Sequence, residues 1–254
     1  MMKPLVAKIK PASGFSNLVH FGLVLLLPLV IFLLARVQQA NFVQLALSLV
    51  LLSKWRMLAV RPRFWPAILR ANAVDIMVGI SIVIFMAHSM SLTMQFTFAV
   101  LYGVWLLFVK PRTGMVATAS QAMIAQLFGL MALFLAWSAG PLYGLILVTG
   151  VICYVAARHY FDSFDEPYGK MLSYLWAYFG AAMVWLLGHW LLFYFGNIAQ
   201  PTVLLSTIGY VLATLYYFDH NDKLSATTRK QLIFIMMAVV IIIVAFSDWG
   251  DKTL

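Results

Sequence analysis

The stretch NLVHFGLVLLLPLVIFLLA, residues 17–35, is the first of nine apolar runs that divide this chain. The others cover 39–53, 72–88, 91–109, 115–137, 141–157, 170–195, 202–218 and 231–247. A helix needs about 20 mostly apolar residues to cross a bilayer core. Inside lipid the backbone must satisfy its own hydrogen bonds, which a helix does within a single segment. Runs of this length and number predict an all-α fold: a polytopic integral membrane helix bundle of about nine transmembrane helices. The second run is the shortest and carries Gln44. The run at 170–195 exceeds what a perpendicular crossing needs and predicts a tilted helix.

Composition excludes the soluble alternative. The chain is 64% hydrophobic and 10% charged. A soluble domain is about 45–50% apolar and roughly a quarter charged. So few charges cannot coat a water-facing surface of this size. The formal net charge is +9. In a soluble protein that surplus would suggest nucleic acid. Here it reads as the cationic bias of cytoplasmic loops, and no nucleic-acid partner is expected. Cys153 is the single cysteine, which excludes an intrachain disulfide and a CxxC redox pair.

The charges also orient the chain. With the N-terminus cytoplasmic, fifteen of the 17 Lys and Arg residues fall on the inside, leaving Arg36 and Lys252 outside. The positive-inside rule then predicts a cytoplasmic N-terminus, an external C-terminus and an odd number of spans, in an inner or plasma membrane. Residues 1–16 form a basic cytoplasmic tail, 17–247 one transmembrane domain and 248–254 a short external tail. The first run is too long for a signal-peptide core, so it reads as a membrane helix. The longest cytoplasmic connection, residues 53–72, combines Trp55, Trp65 and five cations. That mixture suits the headgroup boundary and contact with anionic lipid headgroups.

Four loop motifs recur on the cytoplasmic side. VRPR (60–63) and VKPR (109–112) supply Arg61, Arg63, Lys110 and Arg112 as candidate phosphate or headgroup ligands. YFDSFD (160–165) and YFDHND (217–222) hold Asp162, Asp165, Asp219 and Asp222, with Glu166 beside the first pair. Aspartates three apart share a helix face. Two such pairs facing each other could hold magnesium, a hard cation that favours carboxylate and phosphate oxygens. The blander expectation is that these acids balance the basic loops, and exposed pairs of that kind contribute only about 0–1 kcal/mol each.

Inside the spans the candidate polar site comprises Asp75, Gln121, Gln126 and His189. Asp75 is the one acid within a run. It shares a helix face with Asn72 and Gly79, one turn from the cytoplasmic end, where water or an arginine such as Arg70 or Arg63 could reach it. Intramembrane acids are costly and mark functional sites. Thr118, Ala122, Ala125 and Gly129 form a small-residue stripe that predicts the fifth helix as the central packing element.

No GxSxG elbow, phosphate loop or dinucleotide fingerprint is present. No lysine lies in the interior of a span, and no span carries a ladder of arginines. Three function classes follow. The leading one is a small-solute or lipid transporter or permease-like protein, with a cavity between the third, fifth and seventh helices. The second is a lipid- or isoprenyl-diphosphate-modifying enzyme that uses the YFDxxD loops with magnesium, the one reading that needs a cofactor. The third is a non-catalytic subunit or scaffold that docks a protein partner through its charged cytoplasmic face.

Overall fold

The computed structural model describes residues 15–55, 59, 61–137, 140–164, 166–190, 194–195 and 198–246. Nine α-helices stand among the described residues: α1 (Phe15–Arg36), α2 (Ala40–Leu52), α3 (Trp65–His88), α4 (Leu92–Val104), α5 (Met115–Ala136), α6 (Leu142–Phe161), α7 (Gly169–Trp190), α8 (Gln200–His220) and α9 (Ala226–Ala245). Seven of them, α3 to α9, are long and apolar enough to cross a membrane, counting the short 3-10 and π segments that extend α3 and α4. The 13-residue α2 and the Phe21–Arg36 part of α1 are shorter apolar helices. The expectation of a multi-pass helical bundle is met at this level.

Local chemistry places the helix ends. Proline stands in the first turn of both α3 and α8, where the missing N–H costs no helical bond. Ser225 caps α9 by accepting from the Thr228 N–H at 3.0 Å, a side chain replacing the absent carbonyl. Gly114 precedes α5 at φ 114°, a conformation open to glycine but not to most side chains.

Two expected boundaries move. The third helix was expected from 72 but begins at Trp65. Arg70 is therefore helical, and the connection between α2 and α3 is shorter than the 53–72 stretch expected at the headgroup boundary. Proline in the first turn starts a helix well before the sequence becomes continuously apolar. The run expected as one helix at 170–195 ends at Trp190. Beyond it, Tyr194–Phe195 (β1) pairs antiparallel with Ile198–Ala199 (β2). Aromatic and β-branched residues are good strand formers, so an apolar stretch need not continue as helix.

The bundle is built around α3 and α5. Helices α1, α2 and α4 pack on α3, while α6 and α8 pack on α5. α7 lies along α6, and α9 touches α8 at the periphery, with 6% of its apolar window buried. The α5 stripe behaves as expected: Ala122, Ala125 and Gly129 are all buried. Ala125 and Ala132 belong to a core formed with Ile31, Val50, Ile82 and Tyr102. Leu130 and Leu133 belong to a second core with Leu145, Val184 and Leu205. One helix thus joins two halves.

Gly79 is where the first half closes most tightly. A Cβ at Gly79 would stand 2.7 Å from Val50 Cγ1 and 2.8 Å from the Tyr102 hydroxyl. Gly22, on the exposed side of α1, has nothing within 4 Å. Gly79→Ala is therefore expected to destabilise the protein by about 1–3 kcal/mol through overpacking. Gly22→Ala should be neutral or slightly stabilising, by up to about 1 kcal/mol. Thermal unfolding of both variants in detergent checks the contrast; equal shifts would refute it.

Candidate functional site

Asp75 lies on the inner face of α3, which turns it away from the outer surface of the bundle. Its residue is 6% exposed. A carboxylate so placed needs opposite charge and hydrogen bonds, because losing water costs several kcal/mol per ion. Three groups meet that need. The Lys54 ammonium bonds Oδ2. The Lys110 ammonium stands 2.6 Å from the same oxygen. The Trp105 indole N–H donates to Oδ1 at 2.9 Å. Neither Arg63 nor Arg70 is the partner: Arg63 stacks on Phe64, 4.5 Å from the ring centroid.

Backbone geometry assembles this cluster. Lys54 directly follows α2 and is itself buried at 9% exposure. Burial pulls its amine below the ordinary lysine pKa, and the pull of Asp75 offsets this only in part. Trp105 and Lys110 bracket a π-helical turn, Trp105–Val109, closed by the Lys110 N–H to Trp105 carbonyl bond at 2.8 Å. In a regular α-helix, residues five apart point about 140° apart. The wider turn brings both toward Asp75, and π turns of this kind occur often at functional sites.

A polar cavity of about 270 Å³ adjoins the cluster, lined by Asn72, Asp75, Lys110, Arg112, Gln121 and His159 among others. Gln121 donates to the Val109 carbonyl at 2.8 Å and to the Arg112 carbonyl at 3.1 Å. Its carbonyl lies 3.0 Å from His159 Nε2. These bonds pin the 109–112 turn against α5 and α6.

A second, larger cavity of about 580 Å³ lies among α5, α6, α7 and α8. Its lining is mostly apolar. Gln126 supplies polarity at one wall, accepting from the Trp176 indole at 2.9 Å and donating to the Leu205 carbonyl at 3.0 Å. Ser206 Oγ is buried without a hydrogen-bond partner among the described residues. Four lining residues, Leu175 and Phe179 of α7 and Tyr210 and Leu212 of α8, are also exposed on the outer surface. The cavity therefore opens sideways as a cleft between α7 and α8. A cavity between the third, fifth and seventh helices was expected; α5 and α7 contribute here, but α6 and α8 replace α3.

The sequence candidates separate into different places. Asp75 and Gln121 line the polar cavity, and Gln126 lines the cleft. His189 lies in the last turn of α7 against Trp185, at 5.2 Å between ring centroids, and belongs to neither cavity. Of the basic residues, Lys110 and Arg112 reach the polar cavity, while Arg61 and Arg63 are exposed outside it.

The two YFDxxD motifs do meet, through their aromatic residues. Phe164 packs on Tyr217 at 6.4 Å and on His220 at 5.2 Å, and Phe161 packs on Tyr216 at 5.2 Å. The acids take separate roles. Asp162 pairs with Arg158 of its own helix at 3.0 Å. Asp222, at φ 54°, donates its N–H to the Asp219 carbonyl and closes the turn after α8. Glu166 accepts from the Tyr216 hydroxyl. That bond holds its carboxyl below the ordinary range, so the latch persists until the pH falls through this lowered pKa. Asp165 lies outside the described residues. No group of three or more His, Cys, Asp or Glu residues is placed to hold a metal among the described residues. Among the described residues the acids of these loops meet no cation of the basic loops: Asp162 pairs within its own helix, and Glu166 reaches across to Tyr216.

Lys54, Trp105, His159, Trp176 and Ser206 were not singled out from the sequence. Lys54 and Lys110 each stand at the end of an apolar run, and that position is the available clue to their pairing with Asp75.

Removing one partner of a buried ion pair costs about 3–5 kcal/mol. Asp75→Asn is expected to lose that much, leaving two ammonium groups short of a counter-charge. Combining it with Lys54→Met should recover a substantial part. Unfolding measurements on the two single variants and the double variant form the test, and additive losses would contradict the coupling.

Comparison with known proteins gives no relative from which a role could be carried over: no protein-family model, no curated protein and no solved structure matches the chain.

Proposed function

We propose that this chain is a multi-pass membrane protein that handles lipid, admitting an apolar chain from the bilayer into the cleft between α7 and α8 in the manner of a permease or carrier. The sideways-opening, mostly apolar cavity of about 580 Å³ carries this reading. Small-molecule sites fall at about 300–1,000 Å³ and are mostly apolar with a few polar groups. Gln126 and Ser206 are such groups. A water-soluble solute would need a polar lining that this cleft lacks. The charge bias of the loops supports an inner or plasma membrane with the N-terminus in the cytoplasm. The charged loops of 110–112 and 162–166 then border the cytoplasmic leaflet. The magnesium-dependent enzyme reading draws no support from the acids, since the described ones do not converge.

The test uses the full chain in lipid nanodiscs with a phospholipid carrying a photoreactive group on its acyl chain. Cross-links should concentrate on α7 and α8 residues lining the cleft, above the level on the equally lipid-accessible α9. Ala157→Trp and Ala213→Trp, which fill the cleft, should each remove most of the cleft labelling. Tyr178→Trp, on the exposed side of α7, should leave it unchanged. Uniform labelling of all exposed helices, unaffected by the filling variants, would refute the proposal.

A further inference from the structure

The polar cavity beside Asp75 plays no part in admitting an apolar chain, and its charge is unbalanced. Lys110 and Arg112 line it beside one carboxylate, Asp75, which Lys54 and Lys110 both contact. Asp75 is already fully engaged. Lys54 and Lys110 share Oδ2, and Trp105 takes Oδ1. Lys54 is buried against the carboxylate, whereas the Lys110 side chain is 38% exposed. Arg112 is exposed and stands in no ion pair among the described residues. Two positive charges are thus left over, and the groups that border the cavity directly are Lys110 and Arg112.

The same cavity receives the start of α5. Thr113 and Thr118 line it on either side of Gly114 and the first turn. That turn holds no acidic residue, and no side chain caps it. The positive end of the helix dipole therefore adds to the surplus. A guanidinium forks onto two oxygens of a phosphate, and a lysine contributes a point charge beside it. The Gln121–His159 hydrogen bond and the bonds from Gln121 to the Val109 and Arg112 carbonyls hold the backbone of the turn that carries the two cations.

We propose that the cavity bounded by Lys110, Arg112, Thr113, Thr118 and Asn72 is a binding site for a phosphate-class oxyanion, neutralised by Arg112 together with Lys110, which Asp75 anchors. A volume of about 270 Å³ falls just below the range of about 300–1,000 Å³ for whole drug-sized ligands. It suits a phosphate or a phosphomonoester headgroup with its tail outside. Such a group could arrive as a free anion or on a lipid, and both sources share this chemistry. The site stands independently of the α7–α8 cleft, because α5 and α6 separate the two cavities. Failure of the acyl-chain labelling would leave it untouched.

The test uses the full chain in phosphatidylcholine nanodiscs and follows the thermal unfolding midpoint. One arm titrates inorganic phosphate against chloride at constant ionic strength. The other raises the fraction of phosphatidic acid in the nanodisc. A saturable stabilisation in the first arm identifies a soluble ligand, and one confined to the second identifies a lipid headgroup; either supports the site. Arg112→Gln should weaken the response at least about ten-fold, the loss of a hydrogen bond to a charged group. Because Arg112 is exposed and unpaired, the midpoint in chloride should stay where it is. Arg112→Lys should retain part of the response. Absence of saturable stabilisation in both arms, or a response that Arg112→Gln leaves intact, would overturn the proposal.

Discussion

A carboxylate buried between helices cannot stay ionised without help, and the way Asp75 obtains that help organises half of this molecule. It draws Lys54, directly after α2, inward against α3. It also draws Trp105 and Lys110 from the end of α4, where the chain departs from regular α-helix into a π turn. One side chain thereby connects α2, α3 and α4 at a single end of the bundle. The packing above it is correspondingly close, with Gly79 one turn along α3 leaving room for Val50 and Tyr102. Hydrophobic packing alone would hold these helices together. The ion cluster sets their relative rotation, because an oxygen shared by two ammonium groups tolerates little displacement.

α5 divides what that cluster begins. Its residues Gln121 and Ala122 are neighbours in sequence and border different cavities. On one side the helix faces α3 and a polar, cationic chamber. On the other it faces α8 and an apolar cleft open at the outer surface. Both glutamines serve as braces. Gln121 fixes the 109–112 turn, and Gln126 joins α5 to α7 and α8 through Trp176 and the Leu205 carbonyl. Small residues between them allow the close approach that makes a partition this thin possible. The two cavities share a wall, yet one is built for charge and the other for hydrocarbon.

The YFDxxD repeats show how a motif can be shared while its evident chemistry is not. Their aromatic residues interlock Tyr160, Phe161 and Phe164 with Tyr216, Tyr217 and His220. Edge-on aromatic pairs of this kind add about 0.5–1.5 kcal/mol beyond their burial. The acids cap, close turns or pair locally. The repeat is thus explained by packing at the end of the α7–α8 cleft, where Glu166 also ties its loop to Tyr216.

The all-helical, multi-pass character and the rough limits of most helices were legible in the chain, because long apolar runs bounded by polar breaks report which segments leave water. So was the centrality of α5, written in its small residues; Asp75 stood out as the one acid within a run, and it is buried. The partner of Asp75 was not legible: Arg70 and Arg63 are nearer in sequence, but the rotation of α3 points it toward Lys54 and Lys110. The hairpin after Trp190 was hidden by residues equally apolar in helix or strand. The separation of Gln121 from Gln126, the isolation of His189 and the shape of the cleft had no sequence signature. Apolar periodicity says which residues leave water. Which of them face one another depends on helix rotation and neighbour choice, and those are decided by contacts between residues far apart in sequence, such as Gln126 and Leu205, 79 positions apart.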